Sequence, residues 1–472
     1  MPVIQNASPE EFIPHIHEAF RNWTTLGDIQ DYFLEALLLA KGRIMPLDAL
    51  NAEVLRLTTN QVLLNGLEEL EKKDGLGGRI LRERFLHGQT ILEVAKKLGI
   101  TEDHVNQRQR KAFAALAQIL FVREKKIRQE VIEKHENNLP PKNYLQLFGL
   151  DAPQKLLVEK LLDPKDYAIV NLVGIGGIGK TALAQALTRA IIPEFYFERV
   201  IWLRIEPPTL SGISPTPELA YASFLTQLAQ SLSLPGPVSN TLENQVKIVL
   251  RASPCLIIVD NLEGEADARL IWPNLQQWAG PSKFLVTSRT HPPKELDLYT
   301  FSVMELGRED AGNLIHHQAN MLGVSSLTDG SASTIEDIYR ATGGNPLAIK
   351  LVVSLARDLP LKKILGDFTR KKSGRVEAMY RKVYLKTWAV LPPDAQMILQ
   401  AMPLASEAGA VPEQIQAMCG LEEDAFWEAL QILISYSLIE VLGTPQTRRY
   451  GIHGLTRSFI QTDIIGWPYD TP

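Results

Sequence analysis

The sequence predicts an α/β P-loop core, a parallel sheet with helices on both faces. A helical subdomain and a winged-helix domain follow it, and an all-α helix-turn-helix domain precedes it. Three observations carry the prediction. Short β-rich apolar runs at 169–173, 200–203, 255–259 and 284–287 alternate with helix-forming segments at 181–191, 217–231 and 242–251, and strand–helix alternation implies a parallel sheet covered on both sides. A glycine-rich turn, Gly174-Ile175-Gly176-Gly177-Ile178-Gly179-Lys180-Thr181, sits between the first apolar run and the first of those helices. On either side of this block the apolar spacing is helical rather than alternating.

Residues 1–125 read as the all-α domain. Segments 26–41 and 47–72 place apolar residues three and four apart, one face of a helix. A unit at about 80–120 has a helix-turn-helix cadence. Thr90 and Glu93 form a capping-box pair, Ala95 is small where two helices must cross, Gly99 permits the tight turn, and Thr101 caps the second helix. Ile91, Val94, Leu98, Ile100 and Val105 are expected in the core. The second helix offers His104, Asn106, Gln107, Arg108, Arg110 and Lys111 to phosphates and base edges. DNA is therefore an expected partner, with a trihelical protein-interaction module as the alternative. The acidic start Glu102-Asp103 disfavours DNA. A stretch of alternating charge at 123–136 reads as a solvated helix or linker. Asn137-Asn138-Leu139-Pro140-Pro141 then breaks the chain, so a linker is set at 126–144.

The nucleotide-binding domain is placed at 145–297. Its glycines let the backbone wrap a phosphate with amides pointing inward, and the next helix adds the positive end of its dipole. Contacts are expected from Gly174, Gly176, Gly177, Ile178, Gly179, Lys180, Thr181 and Ala182. Lys180 reaches the terminal phosphates and the Thr181 hydroxyl ligates magnesium. Pro254-Cys255-Leu256-Ile257-Ile258-Val259-Asp260 is an apolar strand ending in a carboxylate, and Asp260 is expected to hold Mg2+ through water. Glu263 is the candidate to orient the attacking water, with Glu265 and Asp267 close by. Lys283-Phe284-Leu285-Val286-Thr287-Ser288-Arg289 ends in polar groups, and Arg289 can reach a terminal phosphate. The expected catalytic set is Lys180, Asp260, Glu263 and Arg289.

From 298 onward the pattern is helical again. A small helical domain is placed at 298–375, a winged helix at 376–465 and a tail at 466–472. Gly343-Gly344-Asn345-Pro346-Leu347-Ala348 opens a helix, with Pro346 where a missing N–H costs nothing. Near the end, a helix at 422–436 precedes a β-like pair at 438–442 and 449–452 turning through Gly443-Thr444-Pro445, the pattern of a wing.

Composition narrows the function classes. The 472 residues are 45% hydrophobic and 22% charged, as in a soluble globular protein. A net charge of −5 excludes a polycation built to coat nucleic acid, so any such contact is a local patch. The only cysteines are Cys255 and Cys419, which excludes a disulfide framework and a zinc spacing. The opening residues lack a basic and then apolar leader, and no apolar stretch is long enough to cross a bilayer. A cytoplasmic protein without a membrane partner is expected.

Taken in order, the G-x-G-G-I-G-K-T loop, Asp260-Asn261-Leu262-Glu263, Thr287-Ser288-Arg289 and the Gly343-Gly344-Asn345-Pro346-Leu347-Ala348 helix start resemble the STAND signal-transduction ATPases. Within them they match the NB-ARC branch shared by plant resistance proteins, apoptosome ATPases and many bacterial regulators. The resemblance covers residues 145–465. It implies ATP or ADP held between the α/β domain, the helical domain and the winged helix. It also implies Lys180 and Thr181 at phosphate and Mg2+, Asp260 at Mg2+, Arg289 sensing the γ-phosphate and Pro346 beside adenine. Tyr450-Gly451-Ile452-His453-Gly454-Leu455 is similar to the family's Met-His-Asp segment, which implies His453 at the ADP β-phosphate, although Gly454 replaces the acid. Two other departures are the Phe148-Gly149-Leu150-Asp151 segment, where relatives carry Gly-Arg-Glu, and Asn261, where many carry a second Asp. The unit at 80–120 resembles the promoter-reading helix-turn-helix of bacterial sigma factors.

The function these resemblances imply is an ATP/ADP-dependent switch with slow hydrolysis. It would control an N-terminal effector or DNA-binding module in transcription regulation or bacterial defence signalling. The alternatives are a DNA-remodelling, initiator-like ATPase and a nucleotide-binding adaptor without turnover. A nucleotide-dependent homo-oligomer is a further expectation. Relatives usually continue past the winged helix into sensing repeats. Either the sequence is cut before them, or a separate sensor or effector protein is the expected partner.

Overall fold

The computed structural model describes residues 8–466 except 24–33, 35–36, 42–51, 206–215, 235, 237, 263–264, 290, 294, 329–331, 366–375, 407–408, 437 and 444–446. The chain divides into two compact units, Met1–Lys134 and His135–Pro472.

The first unit is helical. The helices Pro9–Arg21 and Ala52–Lys73 and the first part of Glu102–Glu136 share a core of Phe12, Ile16, Phe20, Leu63, Leu67, Phe113, Leu116 and Leu120. Of the expected segments 26–41 and 47–72, residues 26–33, 35–36 and 47–51 lie outside the described residues. Helices Leu38–Lys41 and Ala52–Lys73 account for most of the rest. A buried carboxylate anchors the shorter one. Glu124 accepts the Leu38 and Leu39 amides at 3.0 Å each and pairs with Arg128 Nε at 2.7 Å, so orphan donors at that helix start are satisfied. The charged stretch 123–136 is helical, continuous with the helix that begins at Glu102.

Local signals place the helix-turn-helix. Helix Ile91–Leu98 opens with the reciprocal Thr90–Glu93 capping box and closes on Gly99 at φ 68°, left-handed backbone that favours glycine. Thr101 Oγ1 accepts the His104 amide at 3.2 Å to start the next helix. Ile80, Val94, Ala95 and Val105 form the small core between these helices, with Ile91, Leu98 and Ile100 packed on it. Glu83 braces the corner, binding Lys97 Nζ at 2.7 Å and His87 Nδ1 at 3.0 Å.

The second unit is built on a five-stranded parallel sheet in the order β2-β3-β4-β1-β5. The strands are β1 (Ile169–Val173), β2 (Arg199–Arg204), β3 (Cys255–Leu262), β4 (Lys283–Ser288) and β5 (Tyr299–Ser302). β1, β3 and β4 are buried along almost their whole length, as strands covered on both faces must be. Cys255 is a core residue, fully buried. The sequence reading, helical from 298 onward, missed β5. Its four residues Tyr-Thr-Phe-Ser make no apolar run, and as an edge strand it is only half-buried. Pairing with β1 makes it a strand.

Lys283 is a buried lysine at the start of β4. Its ammonium donates to the carbonyls of Asp163, Asp166 and Tyr167 at 2.7, 2.8 and 3.0 Å. It thereby closes the turn that delivers the chain into β1, and burial pulls its pKa below the ordinary lysine value.

Helices Arg308–Leu322, Ala332–Thr342 and Pro346–Leu355 follow, then Val376–Val390, Pro393–Ala401, Pro412–Cys419 and Glu423–Ser435. The antiparallel pair β6 (Glu440–Gly443) and β7 (Arg448–Gly451) forms the wing, and an Ala410–Tyr450 bridge ties it to the preceding segment. Thr444 and Pro445 of the expected wing turn lie outside the described residues, as do 366–375 of the expected helical domain and 467–472 of the tail. Among the described residues no helix is long and apolar enough to cross a membrane.

Two predictions follow from these anchors. Lys283→Met leaves the Asp163, Asp166 and Tyr167 carbonyls without their donor and is expected to destabilise the second unit by about 2 kcal/mol, read as a lower urea midpoint. An unchanged midpoint overturns the role. Glu83 is held below its ordinary value of 4.5, first by Lys97 and then by His87. The folded form therefore binds that proton less readily than the unfolded chain. The pairing stabilises above the ordinary value and is lost as pH falls through the lowered one. Hydrogen exchange across residues 80–105 should be faster in Glu83→Gln at pH 7, equivalent to about 1 kcal/mol. The gap should narrow as pH falls through the lowered Glu83 value, and a gap that persists in acid contradicts the assignment.

Candidate functional site

The glycine-rich loop leaves the carboxyl end of β1 and enters helix Lys180–Ile191. Its first amide, Gly174 N–H, donates to the Ser288 carbonyl at 3.2 Å, at the end of the neighbouring strand β4. Gly177 and Gly179 take φ 72° and 104°, the left-handed conformations that let consecutive amides form an anion-binding concavity. Gly179 is the cap of the helix, so its dipole begins at the loop. Lys180 is buried, and its Nζ donates to the Gly174 carbonyl at 2.8 Å and the Ile175 carbonyl at 3.1 Å. These bonds hold the ammonium across the mouth of the loop.

One carboxylate closes the base. Asp260 is 1% exposed. Its Oδ1 accepts the Thr181 hydroxyl at 2.8 Å and the Thr287 hydroxyl at 2.7 Å. Thr287 Oγ1 in turn accepts the Asn261 amide at 2.8 Å. Contrary to the sequence reading, β3 does not end at Asp260. It runs to Leu262 with its register against β4 shifted between Val259 and Leu262, and Asn261 adopts φ 73°. A bulge of this kind re-aims the side chain beside it, and Asn261 Nδ2 fixes it by donating to the Ile205 carbonyl at 3.2 Å. The hydroxyl and carboxylate oxygens of Thr181 and Asp260 form a hard-oxygen donor set. It fits Mg2+, which keeps several waters and takes one or two carboxylates.

The loop is also held from its other side. Asn345 caps helix Pro346–Leu355, its Oδ1 accepting the Leu347 and Ala348 amides at 3.0 and 3.3 Å. Its Nδ2 donates to the Gly176 carbonyl at 3.3 Å, and Leu347 N–H donates to the Gly177 carbonyl at 3.3 Å. Pro346, at the first helical position and half-buried, is thus next to the residue that touches the loop. Tyr380, buried on helix Val376–Val390, donates its hydroxyl to the same Asn345 Oδ1.

Arg289 is exposed directly after β4. It follows Ser288, which pairs in register with Val173 at the start of the loop. Glu263 lies outside the described residues. His453 is half-buried at the start of helix Gly454–Phe459, and its carbonyl accepts the Arg457 amide at 2.9 Å. The sequence reading did not single out Thr287, Asn345 or Tyr380 as site residues. Asn345 carried a signal, an N-cap residue before a first-turn proline. Thr287 appeared only within the Thr287-Ser288-Arg289 run and Tyr380 in no motif, because their roles depend on strand order and on a contact across 35 residues of sequence.

In the first unit, Gln107, Arg110 and Lys111 are exposed on one side of the second helix of the motif, whereas Asn106 and Arg108 are half-buried. Arg108 is engaged locally, 3.4 Å from His104 Nε2 and 3.9 Å from Asp74 Oδ2.

At Gly177 an added Cβ would lie 2.5 Å from the Tyr380 hydroxyl and 2.8 Å from Leu347 Cβ. Gly177→Ala is therefore expected to push the helix start off the loop, costing about 2 kcal/mol and lowering the thermal midpoint. A variant that melts with the wild type overturns this close approach.

The NB-ARC domain family matches residues 151–321, and the sigma-70 region 4 family matches residues 77–118. An uncharacterised WD repeat-containing protein of Nostoc sp. is 28% identical over 224 residues, 43% of this chain and 17% of that protein. A probable disease resistance protein of Arabidopsis thaliana is 30% identical over 149 residues, 30% of this chain and 15% of that protein. The chain thus matches less than a fifth of the length of either relative, 17% and 15%. A solved STAND protein with a tetratricopeptide repeat sensor from Pyrococcus horikoshii aligns over 69% of this chain and 43% of that one, at 16% identity and a TM-score of 0.47. The α/β core thus matches the NB-ARC domain family over residues 151–321, and the N-terminal helix-turn-helix matches the sigma-70 region 4 family over residues 77–118.

Proposed function

We propose that this chain is a nucleotide-dependent switch. The loop and the oxygen pair Thr181–Asp260 bind ATP or ADP with Mg2+, and the state of the bound nucleotide controls the helix-turn-helix domain. The observation that carries the reading is the two-sided hold on the loop. Its base is tied to the sheet by Thr181, Asp260 and Thr287, and its Gly176 and Gly177 carbonyls are tied to the helix start at Asn345 and Leu347. Groups that shape the loop therefore belong both to the sheet and to the helices beyond it. A ligand that fits one arrangement of these elements better than another shifts the balance between them, which is the only way a ligand drives a switch.

In this reading Lys180 leaves its loop carbonyls to meet the β- and γ-phosphates. Thr181 and Asp260, now hydrogen-bonded to each other, would hold Mg2+ and its waters. Bound Mg2+ supplies neutralisation of charge between the phosphates. Arg289 responds to the γ-phosphate, Pro346 lies beside the base and His453 takes part in the ADP-bound state. Hydrolysis is slow and resets the switch. The output is DNA contact through Gln107, Arg110 and Lys111, with Asn106 and Arg108 flanking them, in transcription control or defence signalling. The helix-turn-helix family match at residues 77–118 supports that assignment.

Calorimetry on nucleotide-stripped protein tests the reading. Wild type should take up ADP and a non-hydrolysable ATP analogue, and Lys180→Ala should bind neither measurably. Asp260→Asn should bind ADP in EDTA as wild type does but lose the gain that Mg2+ provides. No adenylate uptake by wild type ends the proposal.

A further inference from the structure

Tyr380 belongs to no motif, yet it sits where the loop is held. Its hydroxyl donates to Asn345 Oδ1, an oxygen that already accepts the Leu347 and Ala348 amides at 3.0 and 3.3 Å. An asparagine amide can turn over, exchanging its oxygen and nitrogen. Three donors on one side fix it here, so that Nδ2 faces the Gly176 carbonyl at 3.3 Å. The ring is 1% exposed and stacks on Tyr384 with centroids 6.0 Å apart, which fixes the hydroxyl in place. Burial pushes its pKa upward, so the phenol remains a proton donor at every working pH. The missing side chain at Gly177 makes room for this hydroxyl.

A loop that binds phosphate must turn its amides inward, which requires its carbonyls to face outward and to be satisfied there. Gly176 and Gly177 have that requirement met by Asn345 and Leu347. We propose that Tyr380 is a positioning residue for the phosphate loop: its hydroxyl locks the Asn345 amide in the orientation that holds the Gly176 carbonyl outward, and so sets affinity for the phosphates without touching the nucleotide. The winged-helix region thereby acts on nucleotide retention through one hydroxyl on helix Val376–Val390. The inference rests on the nucleotide reading of the loop.

The test is Tyr380→Phe, which keeps the ring, with Tyr384→Phe as control. Tyr384 carries an equally buried hydroxyl on the same helix, but its partner is Thr456 Oγ1 at 2.9 Å. Binding of ADP and adenosine is measured by calorimetry on the stripped full chain, and ADP release by fluorescence. Tyr380→Phe should release ADP roughly tenfold faster while adenosine binding and Tyr384→Phe stay at wild-type values. Asn345→Asp, which accepts but cannot donate to Gly176, should match it, and the double variant should be no worse than either single one. In nucleotide-free protein, Tyr380→Phe should also speed hydrogen exchange at the Leu347 and Ala348 amides. Unchanged ADP release with unchanged exchange overturns the proposal, as does equal damage from Tyr384→Phe or an equal loss of adenosine. If wild type binds no ADP, the nucleotide reading fails, and the exchange measurement alone then decides whether Tyr380 holds Asn345.

Discussion

A buried carboxylate governs the arrangement of this site. Asp260 is enclosed by apolar strands, and a charge in such a place is costly unless hydrogen bonds compensate it. Two threonine hydroxyls do so, one from the helix that leaves the phosphate loop and one from β4. These bonds bring together residues 181, 260 and 287, from three separate stretches of chain. Strand order makes the meeting possible. β4 lies between β1 and β3, so its carboxyl end faces both the loop after β1 and the carboxylate on β3. The bulge at Asn261 completes it by shifting the register against β4 around Asp260.

The opposite side of the loop depends on neutral groups. Asn345 does four things at once. Its Oδ1 accepts two helix amides and the Tyr380 hydroxyl, and its Nδ2 donates to a loop carbonyl. Because the interior around it excludes water, each of these bonds is expensive to leave unmade. The loop is thus clasped between a charged contact to the sheet and a polar contact to helices that come later in the chain.

The N-terminal unit follows simpler rules. A capping box, a left-handed glycine and a second cap set two helices at an angle, and four small aliphatic side chains fill the space between them. Each signal acts within a few residues, so the sequence alone could be read. The surface of the second helix divides by burial, with Gln107, Arg110 and Lys111 outward and Arg108 drawn to His104 and Asp74. A list of polar residues on one helix could not have made that division.

By itself the sequence determined what depends on near neighbours: the glycine loop between a buried strand and a helix, the strand–helix alternation, the caps, and Asp260 near the end of an apolar run. Backbone conformation and apolar burial are local preferences, and they appear in composition and spacing. Only the tertiary structure decided which strands are neighbours, that an edge strand without an apolar pattern joins β1, that Thr287 satisfies Asp260, and that Tyr380 meets Asn345. Those pairings link positions far apart in the chain, and hydrogen-bond geometry is satisfied or lost over fractions of an ångström. Residue spacing carries no record of such distances until packing brings the partners together.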